Sequence, residues 1–467
     1  MFYTVDLIQL LIILSTFSGS ESAGCAYISA DAGCQQCNEQ GHCVRGTVPV
    51  EPWLKFALKT QRDLQADEPF FNVQILDAHN AFNTRADNYG GNDTCAWPPP
   101  YKRPCYAFAN QEFSFTDMLN MGIRGFEIDN YWCKNDMRMA HLGSDLKLLC
   151  FERTRTFSDG MNEIGEWLRL TGNSNELIRI YLDRPGSGYD EIVNNILLES
   201  FGNRILTPSE LTERYGGVWP TMKTLQEDSN NVIILTNSVD DLGGKTIHRA
   251  SWTNRKFGSF TPYPLCGGKS PGSPGTWRFY GDGTHYPIFW DGPTQTGVVT
   301  DLTEVMKCHV QYPAMDFVNK QMLRTAVFTW ADGEPSIPLT SESCIFLSGS
   351  DHRWHVASSC YRNLYFACQH REFKDKWTLS EKAGHYSLQN VNCPHMFEFC
   401  IPQNGYRNQK LLELIGDKDV WINYSPWLPG YVPLPEEPDP TNYFSASSTF
   451  TCSTLLLISS LILIGNI

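Results

Sequence analysis

A chain of 467 residues, 42% hydrophobic and 19% charged, has room for a large folded domain with smaller additions, and it is too apolar to be a disordered protein. Its net charge of −14 argues against a nucleic-acid backbone as the main partner, because such binding is driven by clustered Lys and Arg. Lipid and sugar substrates stay open.

Along the chain, Leu7 to Phe17 is an apolar run followed by Ser18-Gly19-Ser20. It reads as a secretory signal peptide, residues 1–23, although no Lys or Arg precedes it. The run is only about half of the ~20 residues that span a bilayer, which sets aside an N-terminal membrane anchor. Residues 25–46 hold Cys25, Cys34, Cys37 and Cys43 among small and polar residues, the pattern of a small disulfide knot. A single Cys34-x2-Cys37 pair on a secreted route favours disulfides over zinc. Of the 16 cysteines, Cys452 would leave with the C-terminal tail, and the odd remainder predicts one free or intermolecular thiol.

From 50 to 335, short apolar runs alternate with helical or looped stretches. The predicted strands are Val73–Ala78, Ile123–Ile128, Met137–Ala140, Leu177–Leu182, Val232–Thr236, Ala314–Val318 and Ala326–Trp330. The predicted helices are Glu112–Met121, Ser158–Thr171 and Tyr189–Phe201. This alternation predicts an α/β fold with a parallel sheet, long enough to close as a barrel. Residues 255–300, rich in Gly, Pro and aromatics, read as a long loop over the barrel mouth.

Past Pro335 the pattern changes, and residues 336–428 read as a disulfide-rich accessory module. Residues 429–444, with Pro and acids, read as an extended stalk. Residues 445–467 combine small residues, a short polar spacer and the apolar run Leu455 to Ile464, which predicts a GPI-attachment signal over a short transmembrane tail. Two sequons, at Asn92 and Asn423, are candidate glycan sites.

The chemistry lies at the ends of the strand runs. His79-Asn80 follows Val73–Ala78, so both side chains leave at the carboxyl edge. In Glu127-Ile128-Asp129 the carboxylates are two apart on a strand and point to one face. Two like charges there cost energy unless a cation binds them, and oxygen ligands suit Ca2+, or alternatively Mg2+. Asp183 ends Leu177–Leu182 as a further ligand, with a salt bridge to Arg184 as its competing role. His141 follows the next run. Two histidines flanking a metal allow one to accept a proton and the other to protonate a leaving alkoxide, with substrate pose deciding which does which. Arg184 and Lys147 are candidate phosphate contacts, as are Arg153 and Arg155, and Asp316 is a candidate on a late strand.

The string His79-Asn80, Gly-Ile-Arg-Gly-Phe-Glu127-Ile-Asp129, Ala-His141 and Leu-Asp183 resembles the X-type catalytic domain of phosphatidylinositol-specific phospholipase C and its PLC-like phosphodiesterase relatives, over residues 70–335. The resemblance implies a TIM-type (β/α)8 barrel, often irregular. It implies His79 and His141 as the acid–base pair, and Asn80, Glu127, Asp129 and Asp183 as metal ligands, with calcium in animal-type enzymes. Metal-independent bacterial relatives carry Arg where this chain has Asp129. No Y-type half or cytosolic signalling module is recognisable after it. Residues 344–368 resemble the last portion of a C-type-lectin-like domain. Sugar-binding members carry Asn and Asp where this chain has His355 and Val356, so the module reads as a disulfide-stapled β structure.

The expectation is a secreted, GPI-tethered, metal-dependent phosphodiesterase of the PLC-like group, acting on a phospholipid or related diester at a membrane surface. Glycerophosphodiesterase-like and sphingomyelinase-D-like activity on the same barrel is one alternative. A non-catalytic surface-binding protein is another.

Overall fold

The computed structural model describes residues 25, 32–39, 41–87, 92–93, 105–106, 109–140, 150, 152–185, 188–237, 245–273, 275–281, 299–386 and 391–424. The expected signal peptide, stalk and GPI signal lie outside them, as do His141 and Lys147 and the side chains of Asn92 and Arg184.

The larger sheet has nine strands. They are β1 (Asp77–Ala78), β2 (Gly125–Cys133), β3 (Asp136–Met139), β4 (Ile178–Pro185), β5 (Val232–Thr236), β6 (Ile247–Arg249), β7 (Thr253–Lys256), β8 (Trp277–Tyr280) and β9 (Tyr312–Met315). Their order is β6-β5-β4-β2-β1-β9-β8-β7, all parallel along that path. Read as a circle, this is the chain order, the arrangement of a β/α barrel. Only Ala250, Ser251 and Trp252 separate β6 from β7. Ala250 N donates to Thr236 O at 2.8 Å and Thr253 N to Thr276 O at 2.9 Å, so one bend hands the chain from the β5 side to the β8 side. This bend, with no helix in it, is where the TIM-type barrel is irregular.

The helices include α1 (Pro52–Asp63), which precedes β1, and the crossover helices α2 (Phe115–Met121), α3 (Phe157–Arg169) and α4 (Asp190–Phe201). The sequence marks their ends. Ser114 caps α2 by accepting from Asp117 N, and Gly122 closes it at φ 115°, a left-handed conformation that favours glycine. Thr156 caps α3 in the same way. Alternate strand residues serve two cores. Phe126, Ile128, Ile178, Ile180, Leu182, Val232 and Ile234 pack under the helices. Ile75, Leu177, Ile233 and Leu235 pack with Leu206, Leu211, Met222 and Leu225 in a second cluster.

Three expectations change. Residues 136–139 form no barrel strand; they pair antiparallel with β2 as a hairpin turned at Lys134 and Asn135, both at positive φ. Residues 255–300 are not only loop, since they contain β8 and the end of β7. Ala326–Trp330 is no barrel strand either. Its end pairs with the accessory module, Trp354 N donating to Thr329 O at 2.9 Å and Ala331 N to Trp354 O at 3.0 Å. An apolar run signals burial, and this one is buried between modules.

The accessory module is a six-stranded sheet. Its strands are β10 (Ile345–Leu347), β11 (Trp354–Val356), β12 (Tyr365–His370), β13 (Trp377–Leu379), β14 (Phe397–Phe399) and β15 (Val420–Trp421). Cys344–Cys360 and Cys368–Cys393 staple it. Among the described residues no cysteine is free, so the expected odd thiol is not among them. The Asn423 side-chain amide donates to Phe399 O at 3.1 Å.

Candidate active site

β1 ends at Ala78, and the chain then crosses the rim of the barrel. His79 N donates to Met315 O at 2.9 Å, Asn80 turns at φ 42°, and Ala81 N donates to Glu127 O at 2.8 Å. The His79 ring is 8% exposed as a residue and points inward. Its Nδ1 lies 2.8 Å from Asp316 Oδ1, and its Nε2 lies 3.7 Å from Glu127 Oε2. Asp316 is a carboxylate acceptor, so the proton is assigned to Nδ1 and the free lone pair to Nε2. Burial alone would depress this imidazole; the Asp316 and Glu127 carboxylates outweigh it and raise the pKa to about 8.

Glu127, on β2, accepts from Arg278 on β8, three places away in the sheet. That reach crosses the inner face of the curved sheet. Arg278 also donates from Nη1 to Asn254 Oδ1 at 3.0 Å, and its guanidinium lies 5.1 Å from the Tyr181 ring and 4.8 Å from the Tyr280 ring. The Tyr181 hydroxyl donates to Asp183 Oδ1 at 2.5 Å and contacts Asn237 Oδ1 at 2.8 Å. Burial, then the charges of Asp183 and Glu127, push this phenol well above its ordinary range, so it stays a donor. One layer further along the strands, Arg179 pairs with Asp77 across Gly125. A Cβ on Gly125 would fall 1.5 Å from Asp77 Oδ1, which explains the second glycine of the Gly-Ile-Arg-Gly motif.

The structure thus brings His79, Glu127, Asp183 and Asp316 into one network. Asn80 lies in the turn beside them, with its residue 4% exposed. Asp129 falls at a register shift between Ile128 and Asn130, so the simple alternation that put it on the face of Glu127 is broken there. Ala140 N donates to Asp129 O at 3.1 Å, so the hairpin returns the chain to this level just before His141.

The expected metal set does not fit this arrangement. Glu127 is engaged by Arg278, and among the described residues no three His, Cys, Asp or Glu side chains converge as a metal-binding group. Arg278 is the residue that sequence reasoning missed. It lies on Trp277-Arg278-Phe279-Tyr280, a four-residue strand hidden among glycines and prolines and too short to give a periodic signal.

No protein-family model matches the chain. It is 21% identical over 409 residues to an uncharacterized protein of Mycobacterium tuberculosis, with 80% of each chain covered. It is 25% identical over 244 residues to a PI-PLC X domain-containing protein of Arabidopsis thaliana, covering 50% of this chain and 52% of that protein. Among solved structures, the phosphatidylinositol-specific phospholipase C from Listeria monocytogenes is similar at a TM-score of 0.37 and 14% identity, covering 57% of this chain and 97% of that one. By its motifs in their order, its parallel strands and this sequence likeness, the chain resembles the X-type domain of phosphatidylinositol-specific phospholipase C.

Proposed function

We propose that the protein is a phospholipase C-like phosphoric diester hydrolase whose base is His79. The observation that carries this reading is the buried His79–Asp316 pair beside Glu127, at the carboxyl ends of parallel barrel strands. The X-domain relative supports the substrate class.

Asp316 holds Nδ1–H, which leaves Nε2 as the acceptor. A hydroxyl beside the phosphate, as inositol lipids have, gives its proton to Nε2 and attacks phosphorus. The bond from phosphorus to the lipid alcohol breaks, leaving a cyclic phosphate and diacylglycerol. The imidazolium that forms is stabilised by Asp316 and Glu127, the same charges that raise its pKa. His141 returns a proton to the leaving alkoxide. Where no neighbouring hydroxyl exists, water is the nucleophile. Arg278, tied to Glu127, sets a fixed positive charge beside the reacting phosphate. A bound Ca2+ or Mg2+ is a separate proposal, because Glu127 would first have to leave Arg278. Arg184 and Lys147 remain proposed phosphate contacts.

Secretion and a GPI anchor belong to the same proposal; the disulfides Cys133–Cys150 and Cys266–Cys308 support an oxidising compartment. A headgroup panel of phosphatidylinositol, glycerophosphodiesters and sphingomyelin tests the reaction class. Diacylglycerol with an inositol phosphate supports the proposal. Turnover confined to the other two headgroups would replace it with the glycerophosphodiesterase- or sphingomyelinase-D-like reading.

A further inference from the structure

The loop ahead of α2 carries two amide side chains, Asn110 and Gln111, both with 0% exposure. Neither belongs to a barrel strand, yet both close on the site. Gln111 Nε2 donates to two carbonyls, His79 O at 2.7 Å and Met315 O at 2.8 Å, and its Oε1 accepts from Val318 N at 3.1 Å. One side chain therefore joins the end of β1 to the end of β9, where the barrel circle closes.

Asn110 Nδ2 donates to Asp316 Oδ1 at 2.9 Å, the oxygen that faces His79 Nδ1. Asn110 Oδ1 accepts from Asn83 Nδ2 at 2.6 Å, and Phe317 N donates to Asn110 O at 2.7 Å. Asn83 lies four residues after His79, and its own N–H donates to Asn80 O at 2.9 Å. The contacts form a closed ring from the His79 ring through Asp316, Asn110 and Asn83, returning along the turn to His79. A glycine makes room for it, since a Cβ on Gly281 would sit 2.6 Å from Asp316 Cγ.

We propose that Asn110 and Gln111 are positioning residues that hold the His79–Asp316 pair in register at the mouth of the barrel. The inference deepens the reading of His79 as the base and rests on it. Asn110 fixes the carboxylate against Nδ1. Without that donor Asp316 Oδ1 keeps one hydrogen bond fewer, and the contact to Nδ1–H that orients the His79 ring is held less firmly. Gln111 fixes the backbone that carries the ring, and a displacement of about 1 Å at a reacting group costs on the order of 100-fold in rate.

The test uses the whole protein with labelled histidine, and the His79 signal is assigned by its loss in His79→Gln. The His79 Nδ1–H resonance, which reports the hydrogen bond to Asp316, is followed by NMR in wild type, Asn110→Ala, Asn83→Ala and Gln111→Met, alongside kcat and KM on phosphatidylinositol. Asn110→Ala is expected to move that resonance upfield as the bond to Asp316 weakens, with kcat down about 10- to 100-fold and KM within a few-fold. Asn83→Ala, which leaves Asn110 in place, is expected to shift the resonance in the same direction by less, and it serves should Asn110→Ala fail to fold. Gln111→Met is expected to lose rate by a similar factor. An unmoved Nδ1–H resonance in the folded Asn variants would overturn the inference. A moved resonance in a protein that turns over no substrate would keep the clamp and overturn the catalytic reading beneath it.

Discussion

Arg278 and Glu127, 151 residues apart in the chain, form an ion pair inside the barrel mouth with side chains 3% and 8% exposed. A guanidinium thus stands against a carboxylate that the motif pattern assigns to a divalent cation. Removing one member of a buried pair leaves the other charge uncompensated, at a cost of about 3–5 kcal/mol.

Arg278→Met is therefore expected to lose about 3 kcal/mol of stability in urea unfolding. It is also expected to gain calcium sensitivity, seen as a rise in Tm in millimolar Ca2+ that the wild type does not show. Equal stabilisation of both proteins would mean that the metal displaces the guanidinium.

His79 gives a pH signature with two opposite signs. Its pKa is raised from 6.5 to about 8 in the folded protein. The stability it contributes is fully present below 6.5 and is lost as pH rises through 8. The shift corresponds to about 2 kcal/mol. The base needs the neutral imidazole, so kcat/KM should rise across the same window and level off above 8. His79→Gln should remove both trends. A kcat/KM that falls from pH 6.5 to 8.5 would make His79 the acid instead.

Gly281 is predicted to be intolerant of a side chain. In Gly281→Ala the new Cβ meets the Asp316 carboxylate at 2.6 Å, so the carboxylate must turn from His79. Activity should fall about 10-fold or more with the far-UV spectrum unchanged. An alanine variant with full activity would show that Asp316 is not needed in its observed place.

How much of this is legible in the sequence depends on strand length and contact range. His79, Glu127 and Asp183 sit at the ends of runs whose periodicity is plain, and the structure brings them together. Asp316 is visible as a candidate on a late strand, but its bond to His79 joins residues 237 apart and has no local signal. Arg278 lies on four residues between turn-rich segments, too short for a periodicity argument. Asp129 is visible, but the bulge that shifts it is not, because a register slip leaves no mark in composition. Ala326–Trp330 shows the reverse error, an apolar run buried between α1 and Trp354 rather than within the barrel sheet.

That junction is itself testable. Trp354 is fully buried, 5.9 Å from the Trp330 ring and 6.4 Å from Phe328. Arg407 Nη1 pairs with Glu68 Oε1 at 2.7 Å across the same boundary. Trp354→Ala should cost about 3–5 kcal/mol and lower the melting of the barrel as well as of the accessory module. A barrel transition that does not move would mean the two unfold independently.

The most direct test of the central claim is hydrolysis of phosphatidylinositol vesicles by the purified protein and by His79→Gln, each with calcium, with magnesium and with EDTA. The account predicts release of inositol phosphate and diacylglycerol by the wild type, a loss of about 1000-fold or more in His79→Gln, and turnover that survives EDTA because Arg278 already occupies Glu127. Undiminished hydrolysis by His79→Gln, or none by the wild type on any phosphodiester under any of the three conditions, would contradict it.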